Sequence, residues 1–200
     1  MTTALLVQPS FDDPTRIQAQ FFLKILDGLI KLGKVKGIKT IVLYGPKANE
    51  DEFKLAIAKY NPEFIYFGGH GTETQIIGED SDTLIQLGYN EWLLKDRLIY
   101  AFECKSAYIL PKIAGTKVFL GYKGPFYIYA NEKYTPMYMN LGFRPLLMIY
   151  EGYTFGQAYK STKKLYEYYL SKDLPDIVRR TLYANYKNFV LIGDGNTKLI

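Results

Sequence analysis

Short, unbroken apolar runs recur along the chain, and segments of helical periodicity separate them. The runs are Ala4-Leu5-Leu6-Val7, Thr40-Ile41-Val42-Leu43-Tyr44, Phe64-Ile65-Tyr66-Phe67, Leu98-Ile99-Tyr100-Ala101-Phe102 and Val118-Phe119-Leu120. A run without polar alternation marks a strand covered on both faces, as in a parallel sheet. Between the first two, Ile17, Phe21, Ile25 and Leu29 recur at helical spacing, with Phe22, Leu26 and Ile30 beside them, and Gly33 marks the stop. Asp12-Asp13-Pro14 opens that helix, with Asp13 read as the cap before a proline. Further helices are predicted over 49–60, closed by Asn61-Pro62, over 154–170, opened by a Thr154/Gln157 capping box, and over 176–186. The stretch 134–150 reads as a helix interrupted by Pro136, Gly142 and Pro145, and 189–194 as a last strand at a sheet edge. Strands alternating with helices imply an α/β fold: a three-layer sandwich, a mostly parallel sheet of about six strands with helices on both faces.

The 200 residues carry no linker, repeat or low-complexity tract, so the chain reads as a single domain. One cysteine excludes an intramolecular disulfide and removes any need for an oxidising compartment. The N-terminus lacks a basic segment followed by an apolar one, and no apolar run is long enough to span a bilayer. The expectation is a cytoplasmic protein without a membrane partner. The net charge of +5 is mild, and its basic residues are dense only at 31–39 and 160–164. These read as solvated faces, so nucleic acid is not an expected partner. The nineteen tyrosines fall in apolar periodic stretches and are assigned to core or rim.

The chain's only histidine, His70, and only cysteine, Cys104, each follow one of the apolar runs. In a parallel sheet, chemistry gathers beyond the carboxyl ends of the strands. The interval between the two has room for a loop, a crossover and one strand, which is what adjacent parallel strands require. A thiol with an ordinary pKa of about 8.5 is mostly protonated at neutral pH, so a catalytic cysteine needs a base such as histidine. The residues therefore suggest a nucleophile–base pair, with the amides of Gly71 and Cys104 available to an oxyanion. Taken singly, each residue fits equally a small buried hydrophobe or a satisfied polar group. One His, one Cys and scattered acids lack metal-ligand spacing, and Gly68-Gly69-His70-Gly71 lacks the Lys-Ser/Thr ending of a P-loop. No metal or cofactor is expected. The acid-rich stretch 72–87 reads as a loop or small hairpin over the catalytic edge.

The block YFGGHG (66–71) resembles the histidine block of the caspase-like superfamily of cysteine peptidases, which includes legumains, gingipains and CHAT domains. IYAFECKSA (99–107) is similar to its cysteine block, with Glu103 where many members have alanine. VFLGYKG (118–124), EGYTFGQA (151–158) and NFVLIGDGNTKL (188–199) resemble later blocks in the same order, with Gly195 in place of a proline. The resemblance implies a cysteine endopeptidase with Cys104 as nucleophile and His70 as general base and acid. Its oxyanion hole would be Gly71 and Cys104, and its substrate-binding residues Asp12, Asp13, Glu103 and Tyr122. Acids on the loop after the first strand imply cleavage after Arg or Lys in a peptide or protein substrate. One alternative is a catalytically silent caspase-like domain that binds a protein or assembles with itself, and the edge strand allows a homodimer; a third reading is a nucleotide- or DNA-binding α/β domain that uses the basic face.

Overall fold

The structure, a computed structural model, describes residues 2–200. Strand β1 (Thr2–Gln8) leads into helix α1 (Asp13–Val35), followed by β2 (Ile38–Tyr44) and α2 (Glu50–Tyr60). Then come β3 (Phe64–Gly68), β4 (His70–Gly71), β5 (Gln75–Ile77) and β6 (Thr83–Gln86). After a 3-10 turn at Glu91–Leu94 the chain forms β7 (Leu98–Phe102), α3 (Leu110–Ala114) and β8 (Val118–Tyr122). Helices α4 (Thr135–Glu151), α5 (Phe155–Leu170) and α6 (Asp176–Asn188) precede the last strand, β9 (Phe189–Gly193).

Six strands form one sheet in the order β2-β1-β3-β7-β8-β9, all parallel except β9, which runs antiparallel to β8 at the edge. Residue parity divides its side chains between two cores. Ala4, Leu6, Tyr66, Tyr100, Phe102, Leu120 and Tyr122 face α1, α4, α5 and α6. Leu5, Val7, Ile65, Phe67, Ile99, Ala101 and Phe119 face α2, α3 and the small second sheet. The sheet is therefore the middle of three layers, and its central strands are buried on both faces as unbroken apolar runs require.

Several boundaries differ from expectation for local reasons. The cap of α1 is Asp12, not Asp13: its carboxylate accepts from the Thr15 amide at 3.0 Å, and Thr15 Oγ1 accepts in turn from the Asp12 amide at 3.1 Å. Pro14 then lies within the first turn, where its missing N–H costs nothing. Helix α1 passes through Gly33 and ends when Gly37 takes φ +73°. Helix α4 is continuous, with Pro145 inside it. Segment 72–87 forms a hairpin, β5–β6, one of the two forms expected for it, and β4 extends the hairpin into a three-stranded antiparallel sheet. Two of its acids bond backbone amides elsewhere: Glu79 accepts from the loop amide of Ser10 at 2.6 Å, and Asp82 accepts from the first amide of α2, Glu50, at 2.7 Å.

The tyrosine content has a structural use. Tyr66, Tyr100, Tyr122, Tyr138, Tyr150 and Tyr166 are fully buried, and each hydroxyl has a partner. Tyr66 donates to Gln8 Oε1 at 3.1 Å, Tyr100 to the Gly142 carbonyl, and Tyr122 and Tyr166 bond each other at 3.0 Å. Tyr138 pairs with Thr181, and Tyr150 with Thr40 at 3.1 Å. Each ring supplies large apolar area while its one polar atom stays satisfied. Among the described residues, no helix is long and apolar enough to cross a membrane.

Candidate active site

The ends of β3 and β7 diverge, and Gln18 on α1 fills the gap. Its Oε1 accepts from the Gly69 amide at 2.7 Å, and its Nε2 donates to the Phe102 carbonyl at 3.3 Å. One side-chain amide thus stands where a backbone rung would continue the parallel ladder. Beyond it the two chains leave the sheet. Gly69 turns with φ +110°, and a Cβ there would lie 2.5 Å from Pro9 Cγ, so the chain can pass only as glycine. His70 follows as the first residue of β4, paired with Ile77 of β5.

His70 is held by Asp12. Its Nε2 lies 2.7 Å from Asp12 Oδ2, and the Phe11 ring packs edge-on at 5.9 Å. Burial alone would raise the Asp12 pKa, but hydrogen bonds from Thr15 and His70 outweigh it and hold the carboxyl below its ordinary value. An ionised carboxylate only accepts, so Nε2 is the donor in this bond, and Asp12 fixes the orientation of the ring. Asp12 is therefore a cap and an orienting group at once. Its depressed pKa stabilises the fold above the unfolded carboxylate range and ceases to do so as pH falls through the folded value. Asp12→Ala is expected to cost about 1–2 kcal/mol at neutral pH. The part of that difference owed to the charge disappears below the folded-state pKa, while the cap itself persists, as chemical denaturation at both pH values would show.

Cys104 sits two residues past β7, in a cleft of about 220 Å³ lined by Pro14, Gln18, Gly69, His70, Glu103, Cys104, Phe126 and Ile128. His70 and Cys104 thus share one cleft, although no hydrogen bond joins them. The segment after β8 closes over the thiol, with the Phe126 amide donating to Cys104 Sγ at 3.3 Å. Helix α6 fixes that segment. Asn185 exchanges two hydrogen bonds with the Tyr127 backbone, at 2.8 and 2.7 Å, and Asn188 Nδ2 donates to the Pro125 carbonyl at 2.9 Å. Burial pushes the Cys104 thiol up; the Phe126 amide and the charge of Lys105 act against it, and Glu103 adds to it. At rest the sulfur is a thiol, and a base must take its proton before it can attack.

The two amides assigned to an oxyanion are differently placed. Thr72 donates to the Gln75 carbonyl at 2.9 Å, which makes that pair a bonded rung. Gly71 and Ile76 then form the next, non-bonded rung, so the Gly71 N–H turns away from β5. The Cys104 N–H has no protein acceptor among the described residues. Both donors are free for a ligand.

Glu103 is 1% exposed, and neither carboxyl oxygen has a partner. It packs against Gly71, where a Cβ would come within 2.5 Å of Oε2. It also contributes to the wall of the cleft. Burial raises its pKa well above the carboxylate range. The folded chain thus keeps a proton that the unfolded chain releases, and stability falls as pH rises from the unfolded value toward the folded one. Glu103→Gln is expected to match the parent near pH 4. At pH 8 it should exceed it by at least about 1 kcal/mol, or roughly 2–4 °C in Tm. A thermal series across that range would decide it.

Of the four expected substrate contacts only Glu103 lines the cleft; Asp12 stands beside it, bonded to His70, and the other two lie elsewhere. Tyr122 is fully buried, shares its face with Val118 and Leu120, and bonds Tyr166, so it belongs to the core. Asp13 is exposed and pairs with Arg16 at 3.3 Å. Conversely, Gln18, Phe126, Ile128 and Asn185 shape the site without any local motif. Among the described residues, no cluster of His, Cys, Asp and Glu is placed to hold a metal ion. No family model matches the chain, and no curated protein matches it significantly.

Proposed function

We propose that this chain is a cysteine endopeptidase of the caspase-like superfamily, cleaving after Arg or Lys through a thioester. The observation that carries the reading is the shared cleft of His70 and Cys104, with Asp12 orienting the imidazole. His70 takes the thiol proton, and the sulfur attacks the scissile carbonyl carbon. The amides of Gly71 and Cys104 donate to the oxyanion, and the imidazolium, stabilised by Asp12, returns the proton to the leaving amine. Water activated by the neutral imidazole then cleaves the thioester, releasing the carboxylic acid and the thiol. A preference for cationic substrates is supported by the lining, which contains no Lys or Arg, and by the carboxylate of Asp12 beside it.

The second reading, a catalytically silent domain that binds a protein or a second copy, is favoured by the raised thiol pKa and the missing Cys–His hydrogen bond. Intact-mass analysis after incubation with a peptidyl-Arg or peptidyl-Lys acyloxymethyl ketone separates the two. The peptidase reading expects one adduct, absent in Cys104→Ala and much slower in His70→Ala. Labelling by iodoacetamide alone would reject the assigned pocket. Labelling by neither reagent, with the fold intact, would leave the binding domain.

A further inference from the structure

Helices α5 and α6 carry a second surface, separate from the cleft. The connection between them is short, so they lie antiparallel as neighbours. On α5, Lys160, Lys164 and Tyr168 recur every four residues and are exposed. On α6, Arg180, Tyr183 and Lys187 form an equivalent exposed stripe. Tyr168 and Tyr183 are 54% and 52% exposed, well above what a core tyrosine shows. Lys163 lies at the junction, its ammonium donating to the Tyr186 carbonyl and sitting 3.8 Å from the centre of that ring. Lys123, exposed just past β8, completes the group.

Among the described residues, none of Lys123, Lys160, Lys163, Lys164, Arg180 and Lys187 has a carboxylate within ion-pair distance. The acids on these helices are few. Glu167 accepts from the Tyr186 hydroxyl at 3.0 Å, and Asp173 and Asp176 lie by the turn between the helices. Burial and the charges of Lys187 and Lys123 pull Lys163 down to about 8, with Glu167 acting against them. The positive groups are therefore close enough to oppose one another, and an anion placed among them relieves that repulsion.

We propose that the α5–α6 face binds single-stranded nucleic acid, with the lysine and arginine stripes following phosphates and Tyr168 and Tyr183 stacking on bases. Cations alone would suit any polyanion. Exposed aromatic rings among the charges, Tyr168 with the Lys172 ammonium 4.2 Å from its centre and Tyr183 with that of Lys187 at 5.4 Å, favour a ligand that offers flat faces as well as negative charge. The sequence reads its basic run at 160–164 as a solvated face because the α6 stripe, which doubles it, lies on a different helix. The surface does not depend on the peptidase reading.

The test is fluorescence anisotropy of a labelled oligo(dT) of about 20 nucleotides, titrated with the full chain from about 50 mM salt upward. Reversing four charges together (Lys160→Glu, Lys164→Glu, Arg180→Glu and Lys187→Glu) is expected to weaken binding at least about a hundredfold. The log–log salt slope should fall by roughly 2–3, at about 0.7 for each phosphate no longer neutralised. Tyr168→Ala and Tyr183→Ala should each weaken binding about tenfold and leave the slope unchanged. The control reverses four exposed lysines on other faces, Lys31, Lys34, Lys95 and Lys112, and should bind nearly as the parent does; circular dichroism checks that each variant folds. Absence of binding by the parent at low salt overturns the proposal. So does a control that weakens equally, or tyrosine variants that bind unchanged while heparin competes fully, which would mark a generic polyanion surface.

Discussion

Cys104→Ser is expected to leave the fold intact and to lower peptide hydrolysis at least about a thousandfold. Serine differs by one atom, and the cleft that surrounds the sulfur accepts it without new strain. What is lost is acidity. A thiol raised by burial still lies within reach of a neutral imidazole, whereas a hydroxyl in the same place lies far above it. The Phe126 amide that donates to Sγ does little to close that gap. His70→Ala should cost about a hundred- to ten-thousandfold, because the proton must then go to solvent. Cys104→Ser should melt with the parent, and His70→Ala somewhat below it because the hydrogen bond to Asp12 is lost. Residual turnover in Cys104→Ser within tenfold of the parent would remove Cys104 from the chemistry, and an unaffected His70→Ala would remove the base.

Gly142→Ala is the second large effect, and it acts from α4, which packs on the same face of the sheet as α1 and Phe126. A methyl group at this position in α4 would lie 2.0–2.4 Å from carbons of the Phe102 ring. That ring is fully buried and wedged edge-on against Phe126 at 4.9 Å and Phe143 at 5.3 Å, so it has nowhere to swing. Relief requires α4 to lift or Phe102 to move. The expected cost is about 2–3 kcal/mol, or roughly 5–10 °C in Tm. Phe102 directly precedes Glu103 and Cys104, and its neighbour Phe126 covers the sulfur. The same variant should therefore alkylate faster with iodoacetamide than the parent. An unchanged melting temperature would show that α4 yields freely and that its packing on Phe102 has no bearing on the thiol.

Much of this architecture is legible in the chain. Runs such as Leu98–Phe102 lack polar alternation because both faces are covered, so burial and strand identity appear in one signal. His70 and Cys104 can be brought to one edge because both follow parallel strands, and those strands are adjacent. Tyr122 belongs to the core rather than the cleft, and the chain carries a sign of it: the residue keeps step with Val118 and Leu120, and that parity faces the helices. Asp12 is harder, since a cap and an orienting acid look alike in sequence and this residue is both. Gln18 is out of reach, because its partners lie 51 and 84 positions away and nothing near it in the chain announces them. Phe126 sits in a segment without periodicity, held by asparagines from a helix some sixty residues on.

The Gln18 bridge also sets an order of events during folding. Its two bonds join α1 to strands that are distant along the chain, so loop closure must be complete before either can form. Local structure such as α1 and its Asp12–Thr15 cap can arise early, but Gln18 reaches its partners only after β3 and β7 lie side by side. Until that docking step, Asp12 and His70 are not neighbours and the cleft has no wall. A nascent or partly unfolded chain therefore carries a cysteine and a histidine but not the cleft that brings them together, and any reaction that uses both must wait for that docking.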